Sequence, residues 1–237
     1  MNEARSRLIV ALDVPDRAAA LATVDLLADH AGCFKLGLEI FVREGPRLVE
    51  ELRNRNVNVF LDLKLHDIPN QVAGAVRSAC RLGIQMLTVH AAGGAKMLEA
   101  ARRAAEDSGN PPMLLAVTAL TSLGPSDVSS VGIPESLSEW VERLSSLACA
   151  AGLHGLVASS LELPNLRRRF GPHVKLVVPG IRPPGTALQD QSRIARPADA
   201  IRAGADFLVV GRPILQDPDP RRAAERIIAE IAGALGD

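Results

Sequence analysis

Asp62, Lys64 and Asp67 fall within six positions of FLDLKLHDIPN (60–70), a run that otherwise reads as a buried strand. Charges are rarely buried unless they are paired. Two carboxylates and an ammonium at one strand end suit chemistry in which charge moves and a proton is delivered. Residues i and i+2 of a strand share a face, so Asp62 and Lys64 are expected to point the same way. Lys35 in CFKLGL (33–38) and Asp13 in RLIVALDV (7–14) add a second ammonium and a third carboxylate. A structural ion pair is the plainer reading of any single Asp–Lys pair. It does not explain alternating charges at one place, where apolar groups would pack at lower cost.

Lysine usage sharpens the point. Only Lys35, Lys64, Lys96 and Lys175 are lysines among 27 cations. A genome-wide preference for arginine explains the bias but not where lysine remains, and two of the four sit near predicted strand ends. Asp13, Asp62, Asp67 and His90 could be drawn together as metal ligands. The interleaved lysines argue against this, because they already supply the positive charge that a cation would bring. His66 is read as a packing or surface residue and His90 as a hydrogen-bonded residue at a strand end.

These residues must be positioned by repeating elements. Near-continuous Val/Ile/Leu runs recur at 7–14, 33–38, 58–64, 85–91, 113–120, 155–159, 174–180 and 206–211. Helical patterns lie between and after them, at about 16–30, 41–54, 69–82, 95–106, 137–151, 161–169, 197–202 and 220–235. Apolar strands without alternation fit a parallel sheet buried on both faces. Eight such units in 237 residues predict an α/β chain folded as one (β/α)8 TIM barrel over residues 1–237. An open doubly wound sheet is the rival, but no G-x-G-x-x-G follows the first strand. The long loops 121–136 and 179–195 leave the C-terminal ends of strands, where barrels place their sites.

A second polar group lies late in the chain. DFLVVGRPI (206–214) ends its strand on Gly211 and Arg212, and VVPGIR (177–182) adds Arg182 from the adjacent strand end. A glycine lets a backbone N–H approach an anion, and arginine offers a planar fork to phosphate oxygens. Barrels often bind phosphate after strands seven and eight. Gln191 sits in the preceding long loop.

Composition excludes several classes. The net charge is zero, with five Phe, one Trp and no Tyr, so neither a polyanion partner nor a base-stacking platform is expected. Cys33, Cys80 and Cys149 are widely spaced, which points to a reducing cytoplasm and not to a disulfide framework. MNEARSR is read as running directly into the first strand, without a signal-peptide core, and no run has transmembrane length.

Taken together, Asp62-x-Lys64-x-x-Asp67 in DLKLHDIPN, Lys35 in FKLGLE, Asp13 in ALDV and the tail PGIRPPG…DQSRIA…AGADFLVVGRPI resemble the orotidine 5'-phosphate decarboxylase family. The similarity runs from about residue 8 to residue 220. It implies conversion of orotidine 5'-monophosphate to UMP and CO2 in pyrimidine biosynthesis, without metal or cofactor. Lys64 would protonate C6 of the pyrimidine, Asp62 would lie beside the substrate carboxylate, and Lys35 and Asp67 would complete the array. Asp13 and Lys35 would contact the ribose, and Thr121 the pyrimidine. Arg182, Gln191, Gly211 and Arg212 would hold the phosphate. Asp67 and Ile68 would reach into a partner's site, which implies a homodimer. Gln71 stands where many members carry Thr and bears on one cross-subunit contact. Mg2+-dependent sugar-phosphate relatives share the D-x-K-x-x-D core but typically carry Glu near strand two, where this chain has Lys35. That branch, and a barrel that binds a phosphate ligand without turnover, are the alternatives.

Overall fold

The computed structural model describes residues 2–153, 155–183 and 195–236. Eight strands form a closed parallel barrel in chain order. They are β1 (Leu8–Ala11), β2 (Cys33–Leu36), β3 (Val59–Leu65), β4 (Met86–His90), β5 (Met113–Val117), β6 (Gly155–Val157), β7 (Lys175–Val178) and β8 (Phe207–Val210), with β8 pairing back onto β1. The helices are α1 (Asn2–Ser6), α2 (Arg17–Leu27), α3 (Leu38–Arg53), α4 (Pro69–Cys80), α5 (Gly94–Glu106), α6 (Pro125–Ser130), α7 (Leu137–Ala150), α8 (Leu163–Phe170), α9 (Pro197–Arg202), α10 (Arg212–Leu215) and α11 (Pro220–Leu235).

Local chemistry starts these helices where the sequence suggests. Asp16 caps α2 by accepting the Ala19 N–H at 2.8 Å. Ser136 and Glu139 cap α7 reciprocally. Proline opens α4, α9 and α11, where its missing N–H costs nothing.

The strands divide their side chains between two cores. Ile9, Cys33, Phe60, Met86, Leu115, Val177 and Val209 fill the barrel interior. The alternate residues, such as Leu8, Val10, Phe34, Leu61 and Leu87, pack outward in a larger core shared with the helices. Fully burying each such side chain contributes roughly 1.5–3 kcal/mol. The interior packing ends at the C-terminal side of the barrel, and the next inward positions on β2, β3 and β4 are the polar Lys35, Asp62 and Thr88.

Three expectations need correction. The chain does not run directly into β1, because α1 precedes it and buries Ala4 against the rest of the core. The 121–136 segment is not all loop. Gly124 N donates to Asp127 at 2.8 Å, starting α6, and Val128 is buried beneath it. The helix that follows β2, α3, begins at Leu38, earlier than the pattern suggests, and breaks at Gly45. Gly45 has a φ of 63°, and Pro46 behind it disfavours helical backbone at the residue before it. Most of the 179–195 loop, including Gln191, lies outside the described residues.

Candidate active site

The mouth is built one step above the inner core. Two residues beyond Cys33 on the same face is Lys35. Two beyond Phe60 is Asp62, two beyond Met86 is Thr88, and two beyond Val209 is Gly211. Asp13 stands two residues past the end of β1 in the same way. A cavity of about 280 Å³ opens here, lined on one side by Asp13, Lys35, Asp62 and Lys64 and on the other by Pro179, Gly180, Arg182, Gly211 and Arg212. Thr121 and Ser122 complete the wall.

Four charges alternate across the first side. The Lys35 ammonium lies 3.7 Å from Asp13 Oδ1 and 3.6 Å from Asp62 Oδ2. Lys64 Nζ donates to Asp62 Oδ1 at 2.9 Å. Asp62 therefore sits between two ammoniums, and Lys35, 8% exposed, sits between two carboxylates. Each buried charge is offset by a neighbour of opposite sign. Below Lys35 the Cys33 thiol is pushed up to about 12 by burial, so it contributes packing and not a thiolate.

Asp62 and Lys64 meet as expected, but not through a regular pleat. Leu61 pairs with Leu87 and Leu65 with Val89, so residues 62–64 of β3 stand opposite the single residue Thr88. This bulge places Lys64 in the left-handed region with a φ of 49°. Such a conformation costs a non-glycine residue about 1–3 kcal/mol. Thr88 is fully buried. Its hydroxyl accepts the Lys64 N–H at 2.8 Å and donates to Asp62 Oδ1 at 3.0 Å. Sequence reasoning passed over Thr88. The available signal was its register: Met86, Thr88 and His90 alternate along one strand face.

Asp67, Ile68 and Gln71 lie outside this cavity in the single chain. The Asp67 carboxylate accepts the Ile68 N–H at 2.6 Å on an exposed turn, and Ile68 itself is 64% exposed. Gln71 is exposed in the first turn of α4. His66 is exposed and stacks on His90 with ring centroids 5.3 Å apart. His90 Nδ1 accepts the Ala92 N–H at 3.3 Å. Burial first, then the neighbouring His66 and Lys64 charges, push the His90 imidazole down from 6.5 to about 4.

On the opposite side Arg182 is 7% exposed, and its Nη1 donates to the Ile181 carbonyl at 3.0 Å. Arg212 follows Gly211 at the start of α10. Glycine at 211 answers a need for space: a Cβ there would lie 3.1 Å from Asp13 Oδ2. Gly211 thus lets the end of β8 approach the first carboxylate of the charged chain. Among the described residues no group of three or more His, Cys, Asp or Glu is arranged to hold a metal ion.

Fold and site together define a (β/α)8-barrel enzyme whose charged groups are gathered at the C-terminal mouth. The model of the orotidine 5'-phosphate decarboxylase / HUMPS family matches residues 6–227, and the chain belongs to that family. An orotidine 5'-phosphate decarboxylase of Moorella thermoacetica is 49% identical, covering 96% of this chain and 93% of that protein. One from Halorhodospira halophila is 50% identical, covering 96% and 97%. The crystal structure of orotidine 5'-phosphate decarboxylase from Lactobacillus acidophilus superposes with a TM-score of 0.85 at 35% identity, covering 94% of this chain and 98% of that one.

Proposed function

We propose that the chain decarboxylates orotidine 5'-monophosphate to UMP and CO2 in pyrimidine biosynthesis, and that the barrel is its one catalytic domain. The observation that carries this reading is the Lys64 ammonium, held 2.9 Å from Asp62 in a chain of alternating charges at the mouth. The C6–carboxylate bond breaks and CO2 departs, leaving an electron pair on C6. The Lys64 ammonium stabilises that pair and delivers its proton to C6, and solvent reprotonates the lysine. Asp62 lies beside the substrate carboxylate and disfavours it by like charge while holding Lys64. Asp13 and Lys35 take the ribose hydroxyls and Thr121 the pyrimidine edge. Arg182, Gly211 and Arg212 take the phosphate, together with Gln191. Binding energy gained at the phosphate orients the reacting end.

The reaction assigned here uses protein groups alone. Lys35 is set between the Asp13 and Asp62 carboxylates, where a divalent cation would otherwise find its ligands. This donor set does not fit the Mg2+ of the sugar-phosphate branch.

We further propose a homodimer in which Asp67 and Ile68, with Gln71 behind them, complete the site of the neighbouring subunit. In support, these residues lie outside the cavity of their own chain. Ile68, Leu38 and Val42, which follow β3 and β2 at the mouth end, are 64%, 54% and 81% exposed. A cytoplasmic location accords with three unpaired cysteines. No helix among the described residues is long and apolar enough to cross a membrane.

The test is to mix the purified protein with orotidine 5'-monophosphate in EDTA and follow the pyrimidine absorbance. Substrate loss with UMP as product, at the same rate with and without chelator, is expected. Activity that disappears with EDTA would move the assignment to the Mg2+ branch, and binding without turnover would leave a phosphate-ligand barrel.

A further inference from the structure

We infer that Thr88 is a positioning residue for Lys64 and Asp62. The inference rests on the decarboxylase reading for its kinetic consequence, but its geometry is independent of it. In a regular parallel ladder each strand N–H bonds to a carbonyl of a neighbouring strand. The bulge at 62–64 removes Lys64 from the ladder, because Leu61 pairs with Leu87 and Leu65 already pairs with Val89. The Thr88 hydroxyl takes the place of such a carbonyl, accepting the Lys64 N–H at 2.8 Å.

The direction of the network is determined by chemistry. A backbone N–H only donates and an ionised carboxylate only accepts, so the single hydroxyl proton goes to Asp62, at 3.0 Å. The same Asp62 oxygen receives the Lys64 ammonium at 2.9 Å. One hydroxyl thus holds both ends of the reacting pair, the backbone of Lys64 and the carboxylate that orients its ammonium. Threonine suits the task because its β-branch restricts χ1, and the residue is fully buried on the inward face of β4. Lys64 leaves the strand from a left-handed φ of 49°, so whatever secures that backbone sets the direction of the ammonium.

Thr88→Val keeps the shape and removes the hydroxyl. Thr88→Ser keeps the hydroxyl and removes the methyl. With orotidine 5'-monophosphate as substrate, Thr88→Val is expected to lower kcat by about 10²-fold, the scale on which a misplaced reacting group acts. KM should change far less, because the phosphate grip lies across the mouth. Thr88→Ser should stay within about threefold of wild type, since the positioning bonds survive. Wild-type kcat in Thr88→Val, or equal damage in Thr88→Ser, would overturn the inference. Amide hydrogen exchange at Lys64 in the ligand-free proteins gives a readout without substrate. Exchange should be slow in wild type and Thr88→Ser and fast in Thr88→Val. Unchanged protection in Thr88→Val would sink the inference even if wild type proved inactive on this substrate. Loss of wild-type turnover with the exchange pattern intact would instead remove the decarboxylase reading and leave the positioning role. If Thr88→Val does not fold, Thr88→Ala is compared with Thr88→Ser by the same two measurements and the same criteria.

Discussion

On the β1–β4 side of the mouth each charged group leans on another. Asp13, Lys35, Asp62 and Lys64 form one alternating chain, on or just beyond strands, and Thr88 fastens its last link. On the β7–β8 side Arg182, Gly211 and Arg212 stand just beyond their strands, on the segments that leave the barrel. The first side holds its charges through pairings within the chain itself, which is what electrostatic preorganisation requires. On the proposed reading, the second side offers arginine forks and a backbone N–H to the substrate phosphate. The proposed function therefore assigns chemistry to the side of alternating charges and binding to the side that carries Arg182 and Arg212.

That division can be broken most directly at Lys64. Lys64→Ala should reduce turnover by about 10⁴-fold or more, because both the proton donor and the charge opposite C6 are lost. Near-normal UMP formation by this variant would end the assignment of chemistry to the first side. Asp67→Ala should be nearly as damaging although Asp67 lies outside its own cavity. If it serves the neighbouring subunit, mixing Lys64→Ala with Asp67→Ala under exchanging conditions should restore about a quarter of wild-type activity, from mixed dimers with one intact site. A mixture as inactive as its parts would remove the shared-site proposal.

Arg212→Ala should raise KM and lower kcat together, reducing kcat/KM by about 10–10²-fold, the worth of one charge-assisted hydrogen bond. A loss confined to kcat would mean the two sides are not divided as described.

The smallest effect is expected at His90. Its imidazole is pushed down to about 4 in the folded protein, against an ordinary value of 6.5. As pH falls below 6.5 the unfolded chain takes up this proton first, so stability is lost between pH 6.5 and 4 and is fully present above that range. His90→Asn should therefore lose less Tm than wild type between pH 7 and 4.5, as thermal denaturation at the two values would show. Parallel losses would mean that the ring is not held neutral.

Much of the first side was legible because its signals are local. Lys35 and Asp62 continue the inward alternation of Cys33 and Phe60, so their spacing alone places them at a mouth. Asp67 and Ile68 were legible as residues but not as positions, because where an exposed turn goes depends on what lies across from it. Of the second side, Arg182, Gly211 and Arg212 were readable from their place after strand-like runs. The closeness of Gly211 to Asp13 joins the first and last strands of the barrel, and no local pattern records it.

The sequence by itself determined eight strand–helix units and the order in which charges end the strands, because hydrophobic periodicity and capping act over a few residues. Tertiary structure decided the rest. It set α1 under the barrel, bent α3 at Gly45 and stacked His66 on His90. It also brought Thr88 from a strand 24 residues later to satisfy the backbone of Lys64. A left-handed lysine is unfavourable taken alone, and it persists here because a buried hydroxyl and a carboxylate, both fixed by the closed sheet, hold it in place.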